Sequence, residues 1–99
     1  MLRSKRFDLA SIDIDHADVR IKYGDLLVVR HDGRDDLDWE AVIMTFDPAP
    51  LEPAPYHLAA VTLDGTCLGG DAVLVRSVDG THVFRGAGPL TGFDDDLLT

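Results

Sequence analysis

Asp71-Ala72-Val73-Leu74-Val75-Arg76-Ser77-Val78-Asp79-Gly80-Thr81-His82-Val83-Phe84-Arg85-Gly86 is the stretch that decides the fold. Two segments rich in β-branched and aromatic residues flank Asp79-Gly80. An Asp-Gly pair between such segments is the strongest short hairpin signal a sequence offers. A two-residue turn also fixes the register. Val78 then faces Thr81, Ser77 faces His82, Arg76 faces Val83, Val75 faces Phe84 and Leu74 faces Arg85. Directly opposed residues share a face. The predicted core face carries Val73, Val75, Ser77, His82 and Phe84. The other carries Leu74, Arg76, Val78, Thr81, Val83 and Arg85.

The same chemistry recurs upstream. Tyr56 to Leu63 reads as a strand, Asp64-Gly65 as a two-residue turn, and Thr66 onward as the return strand. Gly69-Gly70 is expected to interrupt that strand as a bulge or bend. Before it, residues 47–55 contain Pro48, Pro50, Pro53 and Pro55, which excludes helix and central strand. This segment is expected to be an extended crossover between two halves of the fold.

In the first half, Ala17-Asp18-Val19-Arg20-Ile21-Lys22-Tyr23 alternates, as a half-exposed strand does. Ile12 and Ile14 suggest a shorter partner, with Asp15-His16 as the turn between them. Gly24-Asp25 and Asp32-Gly33 are expected breaks. Leu26 to Val29 and Trp39 to Phe46 are apolar on both faces. In the second of these, Val42, Met44 and Phe46 share one face while Trp39, Ala41 and Ile43 share the other. A helix from an Asp36 or Asp38 cap is the competitor there, and the β-branched and aromatic content favours strand. Residues 1–6 read as a basic tail. The glycine-rich stretch from Gly86 and the acidic residues 94–99 read as a loose end.

Composition agrees with this pattern. The chain has 99 residues, with 18 acidic and 9 basic side chains and a net charge of −9. Of the acidic residues 16 are Asp and 2 are Glu; Asn and Gln are absent, and Lys5 and Lys22 are the only lysines. The chain therefore lacks the polar residues that favour helix and is rich in the one that favours turns. The expected fold is mainly β: one domain over residues 1–99, a small antiparallel barrel or sandwich of six to seven short strands joined by Asp-Gly hairpins, with little or no helix. The acidity argues against nucleic acid and anionic membrane surfaces as partners. No apolar run is long enough to span a bilayer. Cys67 is the only cysteine, so no intrachain disulfide forms, and a cytoplasmic location is expected. Arg in excess over Lys fits a GC-rich bacterial genome.

The clusters that carry chemistry are few. Asp13, Asp15, His16 and Asp18 lie within six residues. Their spacing does not match a calcium loop, because Asp18 stands where Gly is needed and Gly24 where Glu is needed. A solvated turn is the better reading. Asp32, Asp35, Asp36 and Asp38 form a second acidic patch without a metal-binding pattern. No metal and no cofactor is expected. Cys67 has His16, His31, His57 and His82 as candidate bases, yet nothing local brings an imidazole to the sulfur, and a lone Cys is more often a small buried residue. Ser77 and His82 face each other beside Asp79. A hydrogen bond at a hairpin end explains them without catalysis. Gly86-Ala87-Gly88 has no following helix, so it supports no phosphate loop. Arg76 and Arg85 lie on one hairpin face, suited to an anionic ligand or to neutralising nearby Asp; the second reading is the stronger.

The leading expectation is a small acidic non-enzymatic interaction or accessory module. A barrel covers one face of each strand, so the second apolar face of two strands needs a partner. A homodimer burying Trp39, Met44 or Phe46 is the simplest answer, and another protein partner is possible in its place. The alternative is a small-molecule-binding barrel or enzyme, its pocket lined by Tyr23, Trp39, Tyr56 and His57 with Arg76 or Arg85 for an anionic group. An acidic mimic that binds a basic partner is a third reading.

Overall fold

The computed structural model describes residues 3–31, 33 and 37–94. These form β1 (Arg3–Ile14), β2 (Ala17–Val19), β3 (Ile21–Arg30), β4 (Leu37–Thr45), β5 (Pro55–Thr62), β6 (Cys67–Val78) and β7 (Thr81–Gly86), with no helix among the described residues. The sheet order is β2-β1-β3-β4-β7-β6-β5, and β1 also pairs with β5. The result is a closed six-stranded antiparallel barrel with β2 as an extra strand on β1. Two meanders, β1-β3-β4 and β5-β6-β7, meet at β1–β5 and at β4–β7. Closure removes the free edges that open sheets must protect. The proline-rich segment joins the two meanders, and Pro55 opens β5, a strand position where a missing N–H is tolerated.

Alternation sorts each strand into an inner and an outer row. Inner side chains from both meanders fill the barrel, among them Ile12, Val28, Ile43, Leu58, Leu74 and Phe84, all buried. On β4, Trp39, Ala41 and Ile43 point inward while Glu40, Val42 and Met44 point outward, the expected division. The strand from Trp39 is thus a strand and not a helix.

Three turns show how local chemistry sets register. Asp79 and Gly80 both have positive φ, 52° and 84°, which is the two-residue turn that the right-handed twist of a hairpin prefers. Asp15 and His16, at 51° and 68°, form the same turn without any glycine. Asp15 is anchored by its neighbour: its N–H donates to the His57 carbonyl at 2.8 Å and its carboxylate accepts the His57 N–H at 2.7 Å. The third turn corrects an expectation. Thr62 N–H donates to the Thr66 carbonyl and Gly65 N–H to the Thr62 carbonyl, so Thr62 and Thr66 close a loop of three residues, 63–65, ahead of β6. Gly65 at φ 93° supplies the left-handed residue such a loop requires. Cys67 consequently faces Val61, and it is exposed where a small buried residue was expected.

Other expectations are corrected by close packing. Gly24-Asp25 is no break: β3 runs through it, and a Cβ on Gly24 would stand 3.0 Å from Ile43 Cγ2. Gly69-Gly70 is no bulge: both pair regularly with β5. A Cβ on Gly70 would meet the Pro89 carbonyl at 2.6 Å, so glycine is there for the approach of the C-terminal segment. The bulge lies instead between Leu74 and Arg76. It leaves Leu74 opposite Phe84 and Val73 opposite Arg85. Leu74 is therefore buried and Val75 is 57% exposed, the reverse of the predicted faces, because one extra residue exchanges the two sides of a strand.

Residues 3–6 and the glycine-rich stretch through Phe93 are more structured than expected. Arg3 to Arg6 belong to β1 and pair with β3. Past β7, Thr91 and Gly69 exchange backbone hydrogen bonds at 2.7 and 3.1 Å, Leu90 is buried, and Phe93 packs edge-on against Phe7. Asp35 and Asp36, with Asp32, Arg34 and residues 95–99, lie outside the described residues.

Candidate functional site

The predicted ligand residues do not converge. Trp39 lies inside the barrel at 4% exposure, and its indole N–H donates to the Gly88 carbonyl at 2.9 Å. This removes it from any outer interface and gives it a structural task, holding the segment after β7 across the barrel end. Tyr56 packs edge-on against Phe84 and donates its hydroxyl to the Glu52 carbonyl at 2.7 Å. His57 is exposed, stacked on His16 with ring centroids 5.4 Å apart, and its Nδ1 lies 3.0 Å from the Asp71 carboxylate. Tyr23, Arg76 and Arg85 stand on the outside of the barrel. The interior is packed with side chains. Of the predicted pocket residues only Trp39 and Arg85 share a groove, an open one of about 480 Å³ that also takes in Leu27, Val29 and Glu40.

The hairpin constellation resolves into a relay. Ser77 Oγ accepts the Leu51 N–H at 2.9 Å and lies 2.8 Å from His82 Nδ1. His82 Nε2 lies 3.2 Å from Thr45 Oγ1, which donates to the Asp47 carbonyl at 2.6 Å. With each hydroxyl donating once, Ser77 donates to Nδ1 and the imidazole carries its proton on Nε2. Burial holds His82 below its ordinary pKa, with the Asp47 carboxylate opposing in part. No carboxylate of a described residue bonds to the ring. Thr45 takes the place an acid would hold in a triad, and Asp79 sits in the turn. The relay ties the proline-rich segment to β4 and β6, which is a structural function. The sequence indicated the Ser77–His82 pair; Thr45, from the other meander, carried no local signal.

Beside the relay, the segment from Phe46 to Leu51 forms an open cleft of about 510 Å³ with Ile14 and Val19. Phe46 is 56% exposed, with the Arg20 guanidinium 5.1 Å and the Lys22 ammonium 5.6 Å from its ring centroid. Asp18 and Asp47 line the same cleft, so its rim carries both signs of charge. Among the described residues, no group of three or more His, Cys, Asp or Glu is placed to hold a metal ion. Asp64 is held below its ordinary pKa by hydrogen bonds from the Thr62 hydroxyl, the Thr66 hydroxyl and the Thr66 N–H, all within its own turn.

The outer surface of β3, β4, β7 and β6 stands apart. Its rows run Leu27–Glu40–Arg85–Val73, then Asp25–Val42–Val83–Arg76, then Tyr23–Met44–Thr81–Val78. The bulge adds Val75 to this side. Tyr23 is 59% exposed, and Val73 and Val78 are also exposed. Arg76 and Arg85 make no ion pair with a described residue, and Asp25 has only Arg6 at 3.9 Å. Phe46 continues the patch at the end of β4. Of the predicted interface residues, Met44 and Phe46 lie here. Sequence reasoning missed Val42, Val83 and Val75, the last because its bulge has no sequence signal.

No family model, no curated protein and no solved structure matches the chain. No helix among the described residues is long and apolar enough to cross a membrane.

Proposed function

We propose that the protein is a small non-enzymatic interaction module that works as a homodimer through the outer face of β3, β4, β7 and β6. One observation carries the reading: the contiguous apolar surface built around Val42, Met44 and Val83 and flanked by Tyr23, Val75 and Val78. Apolar patches beyond a few hundred Å² on a soluble protein mark interaction sites. At ordinary strand and residue spacings the face measures about 19 by about 27 Å, about 500 Å² in projection, which places it at the small end of specific interfaces. A ligand held inside the barrel gains no support from an interior that side chains fill.

The test is sedimentation. The protein is expected to sediment as a dimer at micromolar concentration. Val42→Lys, a change at the centre of the face, is expected to give a folded monomer with an unchanged β circular dichroism spectrum. A monomeric parent protein at about 100 μM, far above the Kd of specific complexes of this size, overturns the proposal.

A further inference from the structure

The register of the outer face makes it self-complementary about one particular axis, and from this we infer that two copies pack face to face with a two-fold axis along the β4–β7 seam. The inference rests on the homodimer reading above and specifies its geometry. A closed dimer uses the same patch on both subunits, so each residue must meet a residue of its own face. An axis in the contact plane along the seam sets every position on one side against the position equally distant on the other. Glu40 then meets the partner's Arg85. Val42 meets the partner's Val83, and Leu27 meets the partner's Val73. Asp25, one strand further out, meets the partner's Arg76.

Both charge pairs arise from the observed pairings alone. Glu40 is opposite Arg85 across the seam, and Asp25 and Arg76 end the next row on opposite sides of it. Glu40 and Arg85 make no ion pair with a described residue, and both charges face outward toward a second copy. An axis across the strands through Val42 and Val83 does the opposite. It sets Glu40 against the partner's Met44 and Arg85 against Thr81, burying both charges unpaired, which is costly.

The experiment is a charge swap between separate chains. Glu40→Arg makes the central pair all positive, and Arg85→Glu makes it all negative. Each variant alone is expected to dimerise at least about tenfold more weakly than the parent, because like charges meet twice across the axis. Mixed in equal amounts, they are expected to form a heterodimer, seen by native mass spectrometry at its distinct mass. Within each chain residues 40 and 85 still carry like charges in the mixture, so recovery can come only from contact between chains. Asp25→Arg with Arg76→Asp repeats the test on the flank should either central variant fail to fold. Variants that dimerise as tightly as the parent, or a mixture no tighter than its components, overturn the axis while leaving a dimer standing. A monomeric parent overturns the reading beneath it.

Discussion

Gly86→Ala is expected to be among the most damaging single-methyl changes in this protein. Gly86 ends β7 directly under the Trp39 indole. A Cβ built there stands 2.3 Å from Trp39 Nε1, 2.4 Å from Cε2 and 2.6 Å from Cδ1. Ordinary contact begins near 3.4 Å, so the ring must retreat by 1.1 Å, the difference between 3.4 and 2.3. The ring is buried in the barrel, and its N–H is committed to the Gly88 carbonyl at 2.9 Å. Overpacking a core of this kind costs about 1–3 kcal/mol. A buried donor pulled from its acceptor adds about 1–3 kcal/mol. The sum, roughly 2–6 kcal/mol, is a large part of the stability of a domain this size and corresponds to a Tm lower by at least about 10 °C. Trp39 is the only tryptophan, so its fluorescence reports on this contact alone. The emission should shift to the red and the unfolding midpoint should fall together. A double-mutant cycle with Trp39→Phe, followed by circular dichroism, should show coupling above about 1 kcal/mol, because the smaller ring leaves room for the methyl. A Gly86→Ala protein that melts within about 2 °C of the parent, with unchanged emission, would refute this account of Gly86.

The relay predicts acid sensitivity. Burial holds His82 below 6.5 in the folded state, so below that pH the unfolded chain binds the extra proton and stability falls until the folded-state pKa is passed. The urea midpoint should drop between about pH 7.5 and about pH 5, and His82→Gln should show a smaller drop; equal drops exclude His82 as a cause. Gly92→Ala should release the C-terminal segment, since a Cβ at this φ of 83° would stand 1.9 Å from the Cys67 carbonyl oxygen. Hydrogen exchange checks it: the Thr91 and Gly69 amides, bonded to each other's carbonyls, should lose protection while the Ile43 amide keeps it. Thr62→Val should bring the Asp64 carboxyl back toward 3.8 by removing the largest of its stabilising hydrogen bonds, as read by carbon NMR titration; an unmoved pKa would refute that assignment.

What the sequence made legible is what local chemistry decides. Asp79-Gly80 gave the hairpin and its first three pairs, and Asp15-His16 gave a turn without glycine. The inward and outward rows of β4 followed from alternation alone. The rest fails wherever a strand changes step. Phe7 and Leu9 alternate inward, and so do Ile12 and Ile14, but the register shifts between Leu9 and Ser11. That slip hid the first half of β1 and made Arg3 to Arg6 look like a tail. The same kind of slip at Val75 exchanged the faces of Leu74 and Val75. Glycines misled for a related reason. Gly24, Gly70 and Gly86 sit where another element approaches too closely for a side chain, and that element is distant in sequence. The Gly86-Ala87-Gly88 stretch, tested as a phosphate loop, packs under Trp39 at Gly86, accepts its indole N–H at Gly88 and donates the Ala87 N–H to the Asp71 carbonyl.

The charge of the chain is to be judged by where it stands on the surface. A chain at −9 repels its copies, and that repulsion grows as the chains approach. At physiological salt, however, exposed charges act over only about 8 Å. What decides self-association is then the charge within the contact and at its rim. Much of the acidity lies elsewhere: Asp15 and Asp79 in tight turns, Asp64 bonded within its own loop, and Asp71 beside His57. In the rows around Val42 and Val83 two carboxylates, Asp25 and Glu40, stand with two guanidiniums, Arg76 and Arg85. That patch is neutral, although acids outnumber bases two to one in the chain as a whole. Two of the seven arginines, Arg76 and Arg85, pair with no described residue and stand near the exposed Val73, Val75 and Val78. The proposed dimer accounts for that placement, because a neutral contact lets a chain of net charge −9 meet its own copy without local repulsion.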